Sequence, residues 1–166
     1  MSKLLRIEKY TENWATEFTK LKDHLNSILD PFQIEILHVG STSVPGMYAK
    51  PILDIDIVYQ ENFDKIKSIL TSNNYRYRGD LGIENRYSFK YLKDDYHEHH
   101  LYVILDNCEA LNNHLNLKIA LLKSKKNREE YSQLKRDLIS KNNKDRDLYT
   151  ESKTTLINRI ILEDKL

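Results

Sequence analysis

The chain has 166 residues, of which 40% are hydrophobic and 31% charged, and a formal net charge of +1. This size and balance describe one globular domain, residues 1–166, with a respectable core, and a near-neutral net charge gives no general pull toward DNA or a membrane surface. Cys108 is the only cysteine, which excludes an internal disulfide and a cysteine zinc cluster and fits a reducing cytoplasm; no apolar run suggests a signal peptide or a membrane span.

Residues 4–10 are expected to form a short edge strand. From Thr11 the apolar period lengthens: Trp14, Phe18, Leu21, Leu25 and Ile28 recur at steps of four and three and predict an amphipathic helix. Thr11 or Asn13 can cap it and Asp30-Pro31 ends it. Ile34 to Val39 is rich in β-formers and stops at Gly40, so it reads as a strand. Residues 40–50, with Gly40, Pro45 and Gly46, form a loop, and the apolar run from Pro51 to Tyr59 a second strand. Phe63, Ile66, Ile69 and Leu70 predict a helix ending near residues 72–74. Residues 75–85 are expected to be turn, because Gly79 and Gly82 interrupt them. Arg86 to Leu92 then alternates, with Tyr87, Phe89 and Tyr91 on one face and Arg86, Ser88 and Lys90 on the other, which is a strand with a basic face. A polar turn over 93–98 leads to a strand over 99–105. Helices are expected over Leu111–Leu122, from Arg128 onward, and over Asp145–Leu162, where Tyr149, Lys153, Leu156 and Ile160 share a stripe. The predicted fold class is α+β: a mixed, mainly antiparallel sheet with helices over one face and a helical C-terminal section beside a cleft.

The most informative stretch is HVGSTSVPGMYAKPILDIDIV, residues 38–58. Side chains two apart in a strand share a face, so Asp54 and Asp56 point one way while Leu53, Ile55 and Ile57 point into a core. Adjacent carboxylates repel and are costly to desolvate. An internal strand carries such a pair without net cost only when a cation sits on it, and hard oxygen ligands suit Mg²⁺ or Mn²⁺. Gly40 and Ser41 at the preceding strand end add a backbone that a phosphate can approach and a hydroxyl donor. Together they suggest a metal-nucleotide site. The competing reading is a half-exposed strand with two solvated aspartates. Three nearby histidines, His97, His99 and His100, have no spacing typical of structural zinc.

A Gly-Ser followed twelve residues later by Asp-x-Asp in an apolar strand resembles the signature of the nucleotidyltransferase superfamily. The fuller string resembles the GrpB family within it, as do GIENRYSFK (82–90), HHLYV (99–103) and DLYTESKTTLI (147–157). The resemblance implies a nucleotidyltransferase-like fold. It also implies metal-dependent transfer of a nucleotidyl group from a nucleoside triphosphate to an unknown acceptor, whether small molecule, protein or RNA. On this reading Asp54 and Asp56 hold Mg²⁺ or Mn²⁺. Gly40, Ser41 and Thr42 bind phosphates, Lys50, Arg86 and Lys90 neutralise charge, and His100 completes the site or activates the acceptor. The alternative is an accessory module that binds a phosphoryl ligand without catalysis, since GrpB-like domains also occur fused to dephospho-CoA kinase. Two departures bear on this choice. The usual His-Leu-His has Tyr102 in place of its second histidine, and a usual Phe-Arg-Asp is Leu117-Lys118-Ile119. Tyr131, Lys135, Tyr149 and Lys153 match the family's helical pattern.

Overall fold

The computed structural model describes residues 6–141 and 146–164, with the side chains among them except those of residues 140–141, 146–150 and 152. The first residues of the expected edge strand and the side chain of Tyr149 therefore lie outside the described set. The elements are β1 (Glu8–Lys9), α1 (Glu12–Leu29), β2 (Ile34–Val39), a 3₁₀ turn (Ser41–Ser43), β3 (Tyr48–Ala49), β4 (Leu53–Tyr59), α2 (Phe63–Ser72), β5 (Tyr75–Gly79), β6 (Arg86–Tyr91), β7 (His99–Leu105), α3 (Glu109–Lys123), α4 (Lys125–Lys141) and α5 (Arg146–Asp164).

Thr11 caps α1 by accepting from the Asn13 amide at 3.3 Å. The helix places Trp14, Leu21, Leu25 and Leu29 at helical spacing against the sheet, where all four are buried. The sheet order is β2-β4-β7-β6-β5. Only the central β4–β7 pair is parallel, and the other neighbours run antiparallel. A parallel partner needs a crossover, which here consists of α2, β5 and β6. Antiparallel pairing also joins β1 to β3, inside the stretch read as loop.

The two faces of β4 go to different environments. Leu53, Ile55 and Ile57 are fully buried with Trp14, Leu25, Ile66, Leu70, Phe89, Leu101 and Val103, under α1 and α2. Asp54, Asp56 and Val58 face the other side. There Val58 and Ile104 pack against Ala110 and Leu111 of α3. A third cluster joins Val44 and Met47 of the loop to Ala120, Leu121, Tyr131 and Ile160 of the C-terminal helices. The fold is thus α+β, with a helical section on the carboxylate side of the sheet.

The reading of residues 75–85 as turn is corrected. Tyr75 to Gly79 form the edge strand β5, paired with β6 from Tyr75↔Tyr91 to Gly79↔Ser88 with a bulge after Tyr77. The strand survives its polar composition because Tyr75 is buried and hydrogen-bonded to His99 Nε2 at 2.7 Å, while Arg76 and Arg78 point outward. The turn proper is confined to residues 80–85.

Candidate functional site

Backbone pairing alone assembles the acidic centre. Asp54 lies between Val39 of β2 and His100 of β7, and Asp56 between Leu37 and Tyr102. The Asp54 side chain is 32% exposed and Asp56 is not exposed at all. The expectation of two carboxylates on an open face therefore holds for Asp54 and not for Asp56. His114 of α3 covers Asp56, its Nδ1 lying 2.6 Å from Oδ2. The other oxygen, Oδ1, is buried without a hydrogen-bond partner. Desolvation raises the Asp56 carboxyl above its ordinary range, while the bond to His114 opposes that shift and Asp54 reinforces it. His100 Nδ1 stands 3.1 Å from Asp54 Oδ1, and the rest of its ring is exposed.

The loop is packed against this centre. Gly40 adopts φ +74°, and a Cβ there would run into the Asp54 carboxylate, with Cγ at 3.1 Å. Glycine is thus required twice, for the backbone angle and for the approach. Ser43 Oγ donates to the Gly40 carbonyl at 2.6 Å. Thr42 is buried and its hydroxyl pairs with His38 Nε2 at 2.9 Å. Burial pushes His38 down to about 4, with the Lys118 amine adding to the effect, so the ring is neutral; Lys118 itself donates to the His38 carbonyl at 2.8 Å.

From α4, Lys135 reaches the loop and donates to Ser41 Oγ. Its side chain is buried, and its amine lies 4.2 Å from the centre of the Tyr131 ring. Burial holds this amine well below its ordinary value; Lys153 and Lys50 push the same way and Asp54 opposes them. A buried amine without a full counter-charge costs stability. Lys135→Met is therefore expected to raise the unfolding free energy of the ligand-free protein by about 1–2 kcal/mol, or a few degrees in Tm, while weakening triphosphate binding. Thermal unfolding and calorimetric titration check it; a drop in Tm with unchanged affinity would assign Lys135 to structure only.

These groups surround a cleft of about 510 Å³. Of the residues expected from the sequence, Gly40, Ser41, Thr42, Lys50, Asp54, Arg86 and His100 line it. Asp56 sits deeper, under His114. Lys90 does not line this cleft; it lies one strand beyond His100, its register partner. Arg86 lays its guanidinium over the Tyr102 ring, 4.5 Å from the centroid, and its buried Nε has no hydrogen-bond partner. His114, Tyr131 and Lys135 were not expected at the site, although Tyr131 and Lys135 fitted the family pattern. A single His or Lys on a helical stripe carries no signal that it reaches a loop or strand far away in the chain.

Among the described residues no group of three or more His, Cys, Asp or Glu converges as a metal cage. The donor set does fit a hard divalent cation shared with a ligand. It offers two carboxylates, one with an orphaned buried oxygen, and leaves the remaining positions to phosphate oxygens and water.

Several known proteins share this arrangement of chain. In solved structures, GrpB from Enterococcus faecalis superposes with a TM-score of 0.81 at 23% identity, over 97% of this chain and all of that one. The GLD-2/RNP-8 complex matches with a TM-score of 0.61 at 14% identity, over 92% of this chain and 59% of that chain. MgATP-bound Cid1 poly(U) polymerase matches with 0.52 at 11%, over 76% and 41%. These likenesses show a nucleotidyltransferase-like fold. In sequence, the protein named UPF0157 protein YqkA of Bacillus subtilis is 32% identical over 131 residues, 78% of this chain and only 38% of that protein. Glutamate-rich protein GrpB of Alkalihalophilus pseudofirmus is 27% identical over 93% of this chain and 92% of its own. The family model described as GrpB protein matches residues 4–163. That span takes in the glycine-serine loop, both carboxylates and the helix carrying Lys135, and the chain belongs to the GrpB family.

Proposed function

We propose that the protein transfers a nucleotidyl group from a nucleoside triphosphate to an acceptor hydroxyl, dependent on Mg²⁺ or Mn²⁺. The observation that carries this reading is the buried, unpartnered Oδ1 of Asp56 next to Asp54, just beneath a cleft that Asp54 lines and whose loop side gathers the amines of Lys50, Lys135 and Lys153. Asp54 and Asp56 would hold the cation, which when bound supplies charge neutralisation and polarisation of the phosphoryl group.

The chain's own groups do the rest by position and charge. Gly40 lets the loop backbone lie against Asp54, so that phosphates held by the loop would meet a cation held by that carboxylate. Because Ser41 Oγ accepts from Lys135, its own hydrogen can turn to donate to a phosphate oxygen. Lys50, Lys153 and Arg86 neutralise charge on the departing pyrophosphate. His100, its Nδ1 set on Asp54, presents Nε2 to the acceptor hydroxyl. In transfer the acceptor oxygen bonds to the α-phosphorus, the bond to the β-phosphate oxygen breaks, pyrophosphate leaves, and the hydroxyl proton passes to His100.

A second reading has one observation in its favour. Strand β7 sets His100 and Tyr102 opposite the aspartates, so it adds no further carboxylate to hold a cation through transfer. A module that only binds a phosphoryl ligand makes no such demand. Incubation with α-labelled nucleotides, Mg²⁺ or Mn²⁺ and cell extract separates the two. Transfer is expected to move label onto RNA, protein or a small molecule, at least about 100-fold less in Asp54→Asn. Nucleotide that binds but keeps its label identifies the binding module.

A further inference from the structure

The helices cover only part of the carboxylate side of the sheet. Beyond His100 the register continues as one row of cross-strand partners on a single face: Asp54↔His100, His100↔Lys90 and Lys90↔Arg76. Of these, His100, Lys90 and Arg76 are all exposed. Strands lie about 4.8 Å apart, so Lys90 stands about 10 Å and Arg76 about 14 Å from Asp54. Beside this row a second hollow of about 530 Å³ is lined by Arg78, Ser88, Lys90, Lys93 and His100, with Asp94 and Glu98 also on its wall. His100 lines both hollows and stands between the cleft and this groove toward the edge strand. Lys90 and Arg76 thus step away from the carboxylates along the row, and Arg78 and Lys93 stand with Lys90 on the wall of the hollow, in a chain whose net charge is only +1. His100 and Tyr102 form a pair of rings at the junction, 6.5 Å apart.

We infer that this groove seats a single-stranded polynucleotide, with its terminal hydroxyl at Asp54 and His100 and its phosphodiesters along Lys90, Lys93, Arg78 and Arg76. The proposal rests on the transferase reading and names its acceptor. A small acceptor is held within the cleft and gains nothing from cations three strands away. A phosphodiester chain places a charge at each step and needs such a row. The exposed His100 ring, at the cleft end of the row, offers a face on which an unpaired base can stack. His100, Lys90 and Arg76 of the row are exposed, and α1 reaches only the rim of the hollow, where His24 stacks on Tyr96.

The test is fluorescence anisotropy with the full chain, using a labelled unstructured RNA of about 15 nucleotides and a DNA of the same sequence, long enough to fill one binding face. Chelator is present and nucleotide absent, so binding is read independently of transfer. Wild type is expected to bind at low salt with log affinity falling linearly with log salt, each phosphate contact contributing about 0.7 to the slope. The variant Arg76→Gln/Arg78→Gln/Lys90→Gln/Lys93→Gln is expected to bind at least about 10-fold more weakly with a slope shallower by about 2–3. Because these side chains are exposed, its Tm should match wild type within a few degrees. The tighter of the two oligonucleotides names the sugar. Equal affinity and slope in the variant, no binding by wild type at low salt, or displacement by inorganic polyphosphate at equal phosphate concentration would each overturn the proposal. Calorimetry with Mg²⁺-nucleotide on the same proteins keeps the two readings apart. Nucleotide binding without oligonucleotide binding sinks the acceptor groove alone, and the reverse sinks the transferase reading.

Discussion

Gly40→Val is expected to lower the unfolding free energy by about 2–4 kcal/mol and to abolish triphosphate binding, the larger part of the cost coming from contact with Asp54. At φ +74° any L side chain is strained, and the Cβ it adds would occupy space held by the Asp54 carboxylate. The carboxylate cannot retreat easily, because it is set against His100 on one side and lies directly opposite Val39 on the other. A β-branched residue adds two more carbons at the same place. Gly82 provides the control. It has φ +84°, but a methyl group on its Cα would meet nothing within 4 Å, so Gly82→Ala should show only the backbone strain, about 1 kcal/mol. Denaturant unfolding of Gly40→Ala, Gly40→Val and Gly82→Ala gives the comparison. If Gly40→Ala costs no more than Gly82→Ala, the loop does not press on the carboxylate in solution, and the phosphate-binding role of the loop loses its geometric basis.

The second large effect concerns the buried carboxylate. With chelator at neutral pH, Asp56→Asn is expected to raise the unfolding free energy by about 0.5–2 kcal/mol, because it removes a desolvated charge and the repulsion from Asp54 while keeping an oxygen for His114 to meet. The same variant should lose two to three orders of magnitude in nucleotidyl transfer, on the order of 3–4 kcal/mol in the barrier. Asp54→Asn should gain less stability, since the Asp54 side chain is 32% exposed and water already offsets part of its charge. Mg²⁺ plus nucleotide should stabilise the wild type by mass action and close or reverse the gap. Thermal unfolding of the three proteins, in chelator and with Mg²⁺-nucleotide, decides it. If neither variant gains stability in chelator and ligand shifts all three alike, Asp54 and Asp56 do not hold a cation.

What the sequence disclosed and what it hid divide along a physical line. Asp54 and Asp56 were legible because a period of two fixes their shared face from a few consecutive residues. The place of Gly40 and Ser41 next to the carboxylates was legible because the loop joins two strands that pair directly, Val39 opposite Asp54. The helices α1 and α2 announced themselves by apolar spacing. Strand β5 was hidden because only Tyr75 and Tyr77 face inward, while Arg76, Arg78 and a bulge before Gly79 give it the composition of a turn. The depth of Asp56 was hidden for a different reason: its cover, His114, comes from 58 residues away. Lys135 meets Ser41 across 94 residues. No local period encodes such meetings, and a lysine on a mostly polar helix looks solvated until the packing of Tyr131 and Ile160 against the loop shows which side faces in.

That packing gives the molecule two degrees of cohesion. The sheet with α1 and α2 has its own large core, whereas Val44 and Met47 bind the loop to a separate and smaller cluster under α3, α4 and α5. The hydroxyl of Ser132, which receives the Tyr48 amide at 3.0 Å, is a polar stitch along the same seam. Smaller cooperative units open at lower free energy than the global transition. On warming, the seam should part before the sheet melts, and amide exchange at residues 41–48 should run ahead of exchange in β4 and β7. The loop carrying Gly40 and Ser41 would then come away from the carboxylates while both aspartates are still held in register, so the cleft would fall open before the sheet unfolds.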